Sequence, residues 1–260
     1  LRPPPNIKRQ INFTLQSMNK TLIATLLAAG ILSAPAQTIT LWNFNGDSAT
    51  TVPGGSLSPS PAVGSGTASL IGGVTGAASF GSGSSNGGSS DPAPGTPPDY
   101  AWQTTTYPAA AAANQTAGLL FSVSTVGFSN IQLSYDLRHS NTSSRYERVQ
   151  YSLDGLNFVD SLVFDGNAGD TWFNGRTIDL SSVSGANNNP NFAFRVVAEW
   201  ESTATGSGAD AYAASNTGSS YAVTGTWRFD MVSVTAIPEP SSAALFGLGS
   251  AALLIFRRRD

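Results

Sequence analysis

Apolar side chains return at every second position through the second half of this chain. Ile131, Leu133, Tyr135 and Leu137 share one face of a stretch, and Phe192, Phe194, Val196, Ala198 and Trp200 share one face of another. A period of two marks a half-buried β-strand, because successive strand side chains point to opposite faces of a sheet. The segments Tyr146–Leu153 and Phe158–Phe164 are joined through Asp154-Gly155, a dipeptide that favours hairpin turns. Further strand-like stretches are Thr38–Phe44, Ala68–Ile71, Val74–Phe80, Leu119–Ser124, Thr171–Leu180 and Thr226–Val234. Residues 45–99 are otherwise rich in Gly, Ser, Pro and Ala and read as long loops around edge strands, with a flexible linker as the alternative. Short strands separated by turn signals, without an amphipathic helix, predict an all-β antiparallel sandwich over residues 37–236.

Composition narrows the chemistry. There is no cysteine and one histidine, His139, so disulfides, thiolate metal sites, Cys nucleophiles and His-rich metal clusters are excluded. Between Gln37 and Ile237, fourteen acids face six arginines and no lysine, a net charge of −8. Such a surface repels polyphosphate and argues against nucleic acid as a partner.

Both ends read as targeting segments. Met18-Asn-Lys, an apolar run from Thr21 to Leu32 and Ser33-Ala34-Pro35-Ala36 follow the plan of a secretory signal peptide, residues 18–36. Ala34 and Ala36 supply the small residues of the cleavage site, and the signal peptide implies passage through the export machinery. Residues 1–17 lie upstream of Met18 and are expected to be a non-native extension. At the other end, Pro238-Glu239-Pro240 precedes an almost uncharged stretch, Ser241–Phe256, and then Arg257, Arg258 and Arg259. As a helix, residues 241–256 span about 24 Å, and snorkelling arginines make up most of the deficit against a core of ~30 Å. The arginine cluster stops the helix with the tail in the cytoplasm and the body outside.

Pro-Glu-Pro, an apolar helix and a terminal arginine cluster, in that order over residues 237–260, resemble the PEP-CTERM protein-sorting signal of exopolysaccharide-producing Gram-negative bacteria. The resemblance implies recognition by an exosortase, an integral-membrane processing enzyme. It also implies transient anchoring in the inner membrane, then delivery to the cell surface or extracellular matrix. In the body, Leu133–Ser140, Val149–Gly155, Asn189–Arg195 and Gly225–Val232 resemble jelly-roll modules of secreted bacterial surface proteins. Those modules are similar in shape to carbohydrate-binding and lectin-like domains. This implies that the first and last strands pair, bringing Trp42 and Phe44 near Trp227 and Phe229. The resemblance is structural and fixes no activity. With no cysteine, a single histidine and no acid pair of defining spacing, a non-enzymatic surface protein is expected, with exopolysaccharide as its expected ligand. A structural protein without ligand and a glycoside hydrolase stand as alternatives.

The residues able to carry chemistry are few. Sugar stacking falls to aromatics near expected loops, Trp102, Tyr107 and Trp172. A hydrolase would need two carboxylates flanking a cleft. Glu199 and Glu201 are expected on one strand face, and Asp136 and Glu147 are expected opposite each other on neighbouring strands. His139 follows a strand, but no nucleophile elbow accompanies it, so a hydrogen-bonding role at a loop or strand edge is expected. No resident cofactor is expected. Calcium is the one metal the acids would suit, at Asp165–Asp170 (otherwise a plain turn), Asp210 or Asp230.

Overall fold

The alternating segments pair into two antiparallel sheets. In this computed structural model the described residues are 35–45, 58–76, 80–92 and 99–239. The expected signal helix and the expected membrane helix 241–256 lie outside them. Among the described residues, no helix is long and apolar enough to cross a membrane. The body is one compact unit, Ala36–Pro238.

Its strands are β1 (Gln37–Trp42), β2 (Val63–Gly64), β3 (Thr67–Ile71), β4 (Thr75–Gly76), β5 (Gly81–Ser82), β6 (Tyr100–Thr105) and β7 (Gly118–Ser122). They continue with β8 (Phe128–His139), β9 (Tyr146–Ser152), β10 (Phe158–Asp165), β11 (Thr171–Asp179), β12 (Ala193–Glu199) and β13 (Trp227–Pro238). Sheet one runs β11-β8-β13-β1-β2, with β6 also on β13 and with β4 and β5 on β6. Sheet two runs β10-β9-β12-β7-β3. The inward residues of both sheets form one core, in the manner of a jelly-roll-like sandwich. Trp42 of sheet one meets Phe121 of sheet two at 5.1 Å between ring centroids, and Phe121 stacks on Phe194 at 5.0 Å.

First and last strands do pair, from Gln37↔Ala236 to Trp42↔Val232. The register differs from the expected one. The Trp227–Phe229 half of β13 pairs with β6 instead, Phe229 opposite Trp102. Phe44 turns towards the Phe80 and Trp102 rings. The Asp154-Gly155 turn joins β9 to β10, and Gly155 adopts φ 76°, a left-handed conformation that glycine takes without a steric penalty.

Three other expectations are corrected. Trp102, expected near a loop, lies within the strand β6. Glu201 begins a short helix, α1 (Glu201–Thr205), and so does not share a strand face with Glu199. Asp136 and Glu147 lie in different sheets, on β8 and β9, and do not face each other across a ladder.

Candidate functional site

Four places gather polar chemistry. The first is the end of β13. Ile237 and Pro238 still pair with Ser129 and Phe128, while Glu239 is exposed. The ladder therefore runs up to the first residue of the Pro-Glu-Pro motif. A proline that ends a strand costs the sheet little, since its missing N–H is not needed beyond the last pair. Pro240 and Arg257, Arg258 and Arg259 lie outside the described residues, as does Ala34; Ala36 is exposed just ahead of β1.

The second place is the interior between the sheets. His139 ends β8, a strand flanked on both sides, and is fully buried. Its Nδ1 lies 2.8 Å from the Ser144 carbonyl oxygen, and its Nε2 lies 2.8 Å from Glu147 Oε2. Arg176 Nε approaches Glu147 Oε1 at 3.1 Å, with the guanidinium 4.7 Å from the centroids of both Phe164 and Phe173. Burial, and then the Glu147 charge, push the neighbouring Tyr135 hydroxyl well above its ordinary range. The imidazole is thus a buried link between sheets and not an edge or loop residue. The Ser144 hydroxyl donates to the Tyr146 carbonyl, so this serine is not poised as a nucleophile for His139.

The third is the outward face of sheet two. With Val149, Phe194 and Val196 in the core, strand alternation turns Arg148, Gln150, Arg195 and Glu199 outward. Arg148 donates to both oxygens of the buried Glu199, at 2.9 and 2.8 Å, and Gln115 Nε2 adds a third bond at 2.8 Å. Gln150 donates to Asp160 at 2.5 Å and accepts from Arg195 Nε at 2.5 Å. The Arg195 guanidinium stands 4.3 Å from the Phe158 ring centroid. The result is a sheltered row of planar polar groups fixed by one another.

The fourth lies where β13 bulges. One carboxylate oxygen from each of Asp91, Asp99 and Asp230 falls within 4.8 Å of the others. Asp230 on β13 accepts from the Ser89 hydroxyl at 2.6 Å and from the Met231 N–H at 2.7 Å. Opposite it on β8, Asp136 accepts the Ser90 N–H at 2.5 Å and the Gly175 N–H at 2.7 Å. Asn45 donates to Asp91 and accepts the Tyr100 N–H. Burial, then the Asp91 charge, lift Asp99 to about 6 against an opposing hydrogen bond with Asp230. Burial lifts Asp230 to about 8, against the bonds from Ser89 and Met231. Of these acids only Asp230 is a metal candidate from sequence. Asp91 and Asp99 sit beside prolines in a Gly/Ser-rich stretch and have no ligand spacing that would single them out.

The remaining sequence candidates are placed as follows. Trp102 and Tyr107 are buried at 1% and 4% exposure, and Trp172 at 8%. Trp102 and Tyr107 belong to the core, Tyr107 packing on Trp227. Trp172 lies outside that core, paired with Arg138 on the outer face of sheet one and donating its Nε1–H to the Ser85 carbonyl of the loop that covers it. Asp165 pairs with Arg145, and Asp170 with Arg138 and Asn141, so both acids of the 165–170 turn already have partners. Asp210 accepts from Ser202 beside α1.

Fold and terminal segment together define an exported β-sandwich protein with a C-terminal sorting signal. Residues 236–259 match the family model described as the PEP-CTERM protein-sorting motif, which directs membrane-associated sorting towards the cell surface through exosortase-type machinery. No curated protein matches the chain in sequence. Among solved structures it is similar to the CBM22-1-GH10 modules of endo-1,4-beta-D-xylanase 10B from Clostridium thermocellum, complexed with xylohexaose. That match has 12% identity and a TM-score of 0.37, and covers 63% of this chain and 24% of that one. It is also similar to the K3 cleaved adhesin domain of Lys-gingipain from Porphyromonas gingivalis, with 14% identity, TM-score 0.29, and 53% and 75% coverage. A third is the CBM22-1-CBM22-2 tandem domain of a Paenibacillus barcinonensis protein, with 10% identity, TM-score 0.30, and 53% and 40% coverage.

Proposed function

We propose that this chain is a non-enzymatic cell-surface or extracellular-matrix protein that binds polysaccharide on the outward face of sheet two after its tail has been processed. The sorting motif at residues 236–259 is the observation that carries the delivery half of this reading. The polysaccharide half is supported by the row Arg148, Gln150, Asp160 and Arg195. Its planar amide, carboxylate and guanidinium groups suit sugar hydroxyls, and their mutual bonds hold them in place before a ligand arrives. The absence of catalysis is supported by how the acids are used. Glu199 is clamped by Arg148, Glu147 lies between His139 and Arg176, and Asp136 accepts two backbone N–H groups. A hydrolase needs one carboxyl free to donate a proton and another free to attack or to activate water.

A glycan array combined with hydrolysis assays on the source exopolysaccharide tests the reading with the purified chain. Binding without product is expected, and Gln150→Ala and Arg195→Ala should each weaken it. Release of reducing ends would establish the hydrolase instead. Silence in both assays would leave a structural protein without ligand.

A further inference from the structure

The buried carboxylates of the body are met in different ways. Glu147 and Glu199 have arginine partners, so their charge is offset on the spot. Asp99 and Asp230 are buried to 3% and 0% exposure, and among the described residues no arginine, lysine or histidine pairs with either. Asp99 Oδ1 is buried with no N–H or O–H donating to it, and the acid's hydrogen-bonding neighbour is another carboxyl, that of Asp230. A buried carboxylate oxygen left in that state is costly unless a positive charge faces it.

We propose that Asp91, Asp99 and Asp230 bind a hard divalent cation, calcium, which fastens the 83–92 loop to the central strand of sheet one. Their three ligand oxygens already lie within 4.8 Å of one another, close enough to share one ion. They come from three separate places: the loop after β5, the entry to β6, and β13. All the donors are oxygen, which suits a hard cation and not zinc or copper. Carboxylates from three unrelated backbone segments suit the flexible six-to-eight-fold shell of calcium better than the strict octahedron of magnesium.

The surroundings look built for this. Asp136 does not offer a free oxygen; it holds the scaffold, gripping Ser90 in the loop and Gly175 in β11. The loop closes directly over Asp99. Gly83 donates its N–H to the Asp99 carbonyl at 2.9 Å, and a Cβ at Gly83 would stand 2.3 Å from Asp99 Oδ1. Only glycine lets the backbone come so near the carboxylate. Export delivers the chain to where free calcium is plentiful, and extracellular modules bind it with Kd values of roughly 10⁻⁴–10⁻³ M.

The test uses the full-length chain, purified in detergent and stripped with EDTA. Equilibrium dialysis against radiolabelled calcium chloride should give one ion per chain. Thermal unfolding should shift up by about 5–10 °C when free calcium exceeds Kd a hundred-fold, and magnesium chloride should give a smaller shift at equal concentration. Asp99→Asn should abolish the calcium shift while leaving the stripped protein as stable as wild type or more so, because a buried charge has gone. Asp210→Asn, outside the cluster, should respond as wild type does. The proposal is overturned by no bound calcium at 5 mM (on the order of five times the weakest such Kd) together with equal unfolding in EDTA and calcium. That result would mean that Asp99 and Asp230 simply share a proton. A calcium response in Asp99→Asn equal to that of wild type would also overturn it.

Discussion

Removing the Arg148 guanidinium asks directly whether the outward face of sheet two is held rigid by its own bonds. Glu199 is fully buried, and two of its three hydrogen bonds come from Arg148, whose own side chain is 13% exposed. Arg148→Met keeps the apolar stem and strands the carboxylate with only Gln115. Breaking a buried pair from one side costs about 3–5 kcal/mol. For a domain of this size that is a fall in Tm of roughly 6–20 °C. Adding Glu199→Gln removes the stranded charge while Gln115 keeps an acceptor, so the double variant should recover most of the loss. The coupling between the two sites should then be about 2–3 kcal/mol. Urea unfolding of the four chains, followed by tryptophan fluorescence at constant m, measures this cycle. A cost below about 1 kcal/mol for Arg148→Met would place the pair among solvent-shared surface bridges. The pre-organisation on which the proposed binding face rests would then be lost.

Two further outcomes follow from features at either end of the body. Glu239→Ala should leave export intact but block tail removal in a host with the matching exosortase, as read by immunoblot; normal processing of that variant would show that the exposed acid is not recognised. Asp154 caps the β9–β10 turn, its carboxyl held below the ordinary range first by the Asn157 N–H and then by the Asn157 side chain and the Leu156 N–H. Its contribution is therefore complete above about pH 4, the unfolded value, and is lost as pH falls towards the lower folded value. Asp154→Asn should flatten the unfolding profile between pH 4 and pH 2 (roughly the span from the unfolded pKa downward), and identical profiles for the two chains would refute this role.

The sandwich was legible wherever one strand face is apolar and the other polar, as in β8 and β12. It was illegible in β6, where Ala101 and Trp102 are both buried. A strand covered on both faces loses its period of two, and Trp102 then reads as a loop aromatic. Pairing partners were harder still. The Asp136–Glu147 pairing failed because neighbours in sequence, β8 and β9, leave for different sheets. Asp230 stands out as an acid inside an apolar strand, yet its companions Asp91 and Asp99 reach it only through the folded loop. A cluster assembled from distant segments has no spacing to read. The sorting motif was legible because its parts are contiguous in sequence, so no tertiary contact is needed to recognise it.

The last strand to be made is the one sheet one is built around: β13 has β8 along one side and β1 and β6 along the other. Synthesis from the N-terminus makes Trp227–Pro238 the last of these strands, so until then β8, β1 and β6 have open edges where it belongs. Closure of the sheet comes in the same interval as arrival of the sorting segment, whose first residues continue from β13. Damage that cuts the chain before Trp227 therefore removes the address together with the keystone.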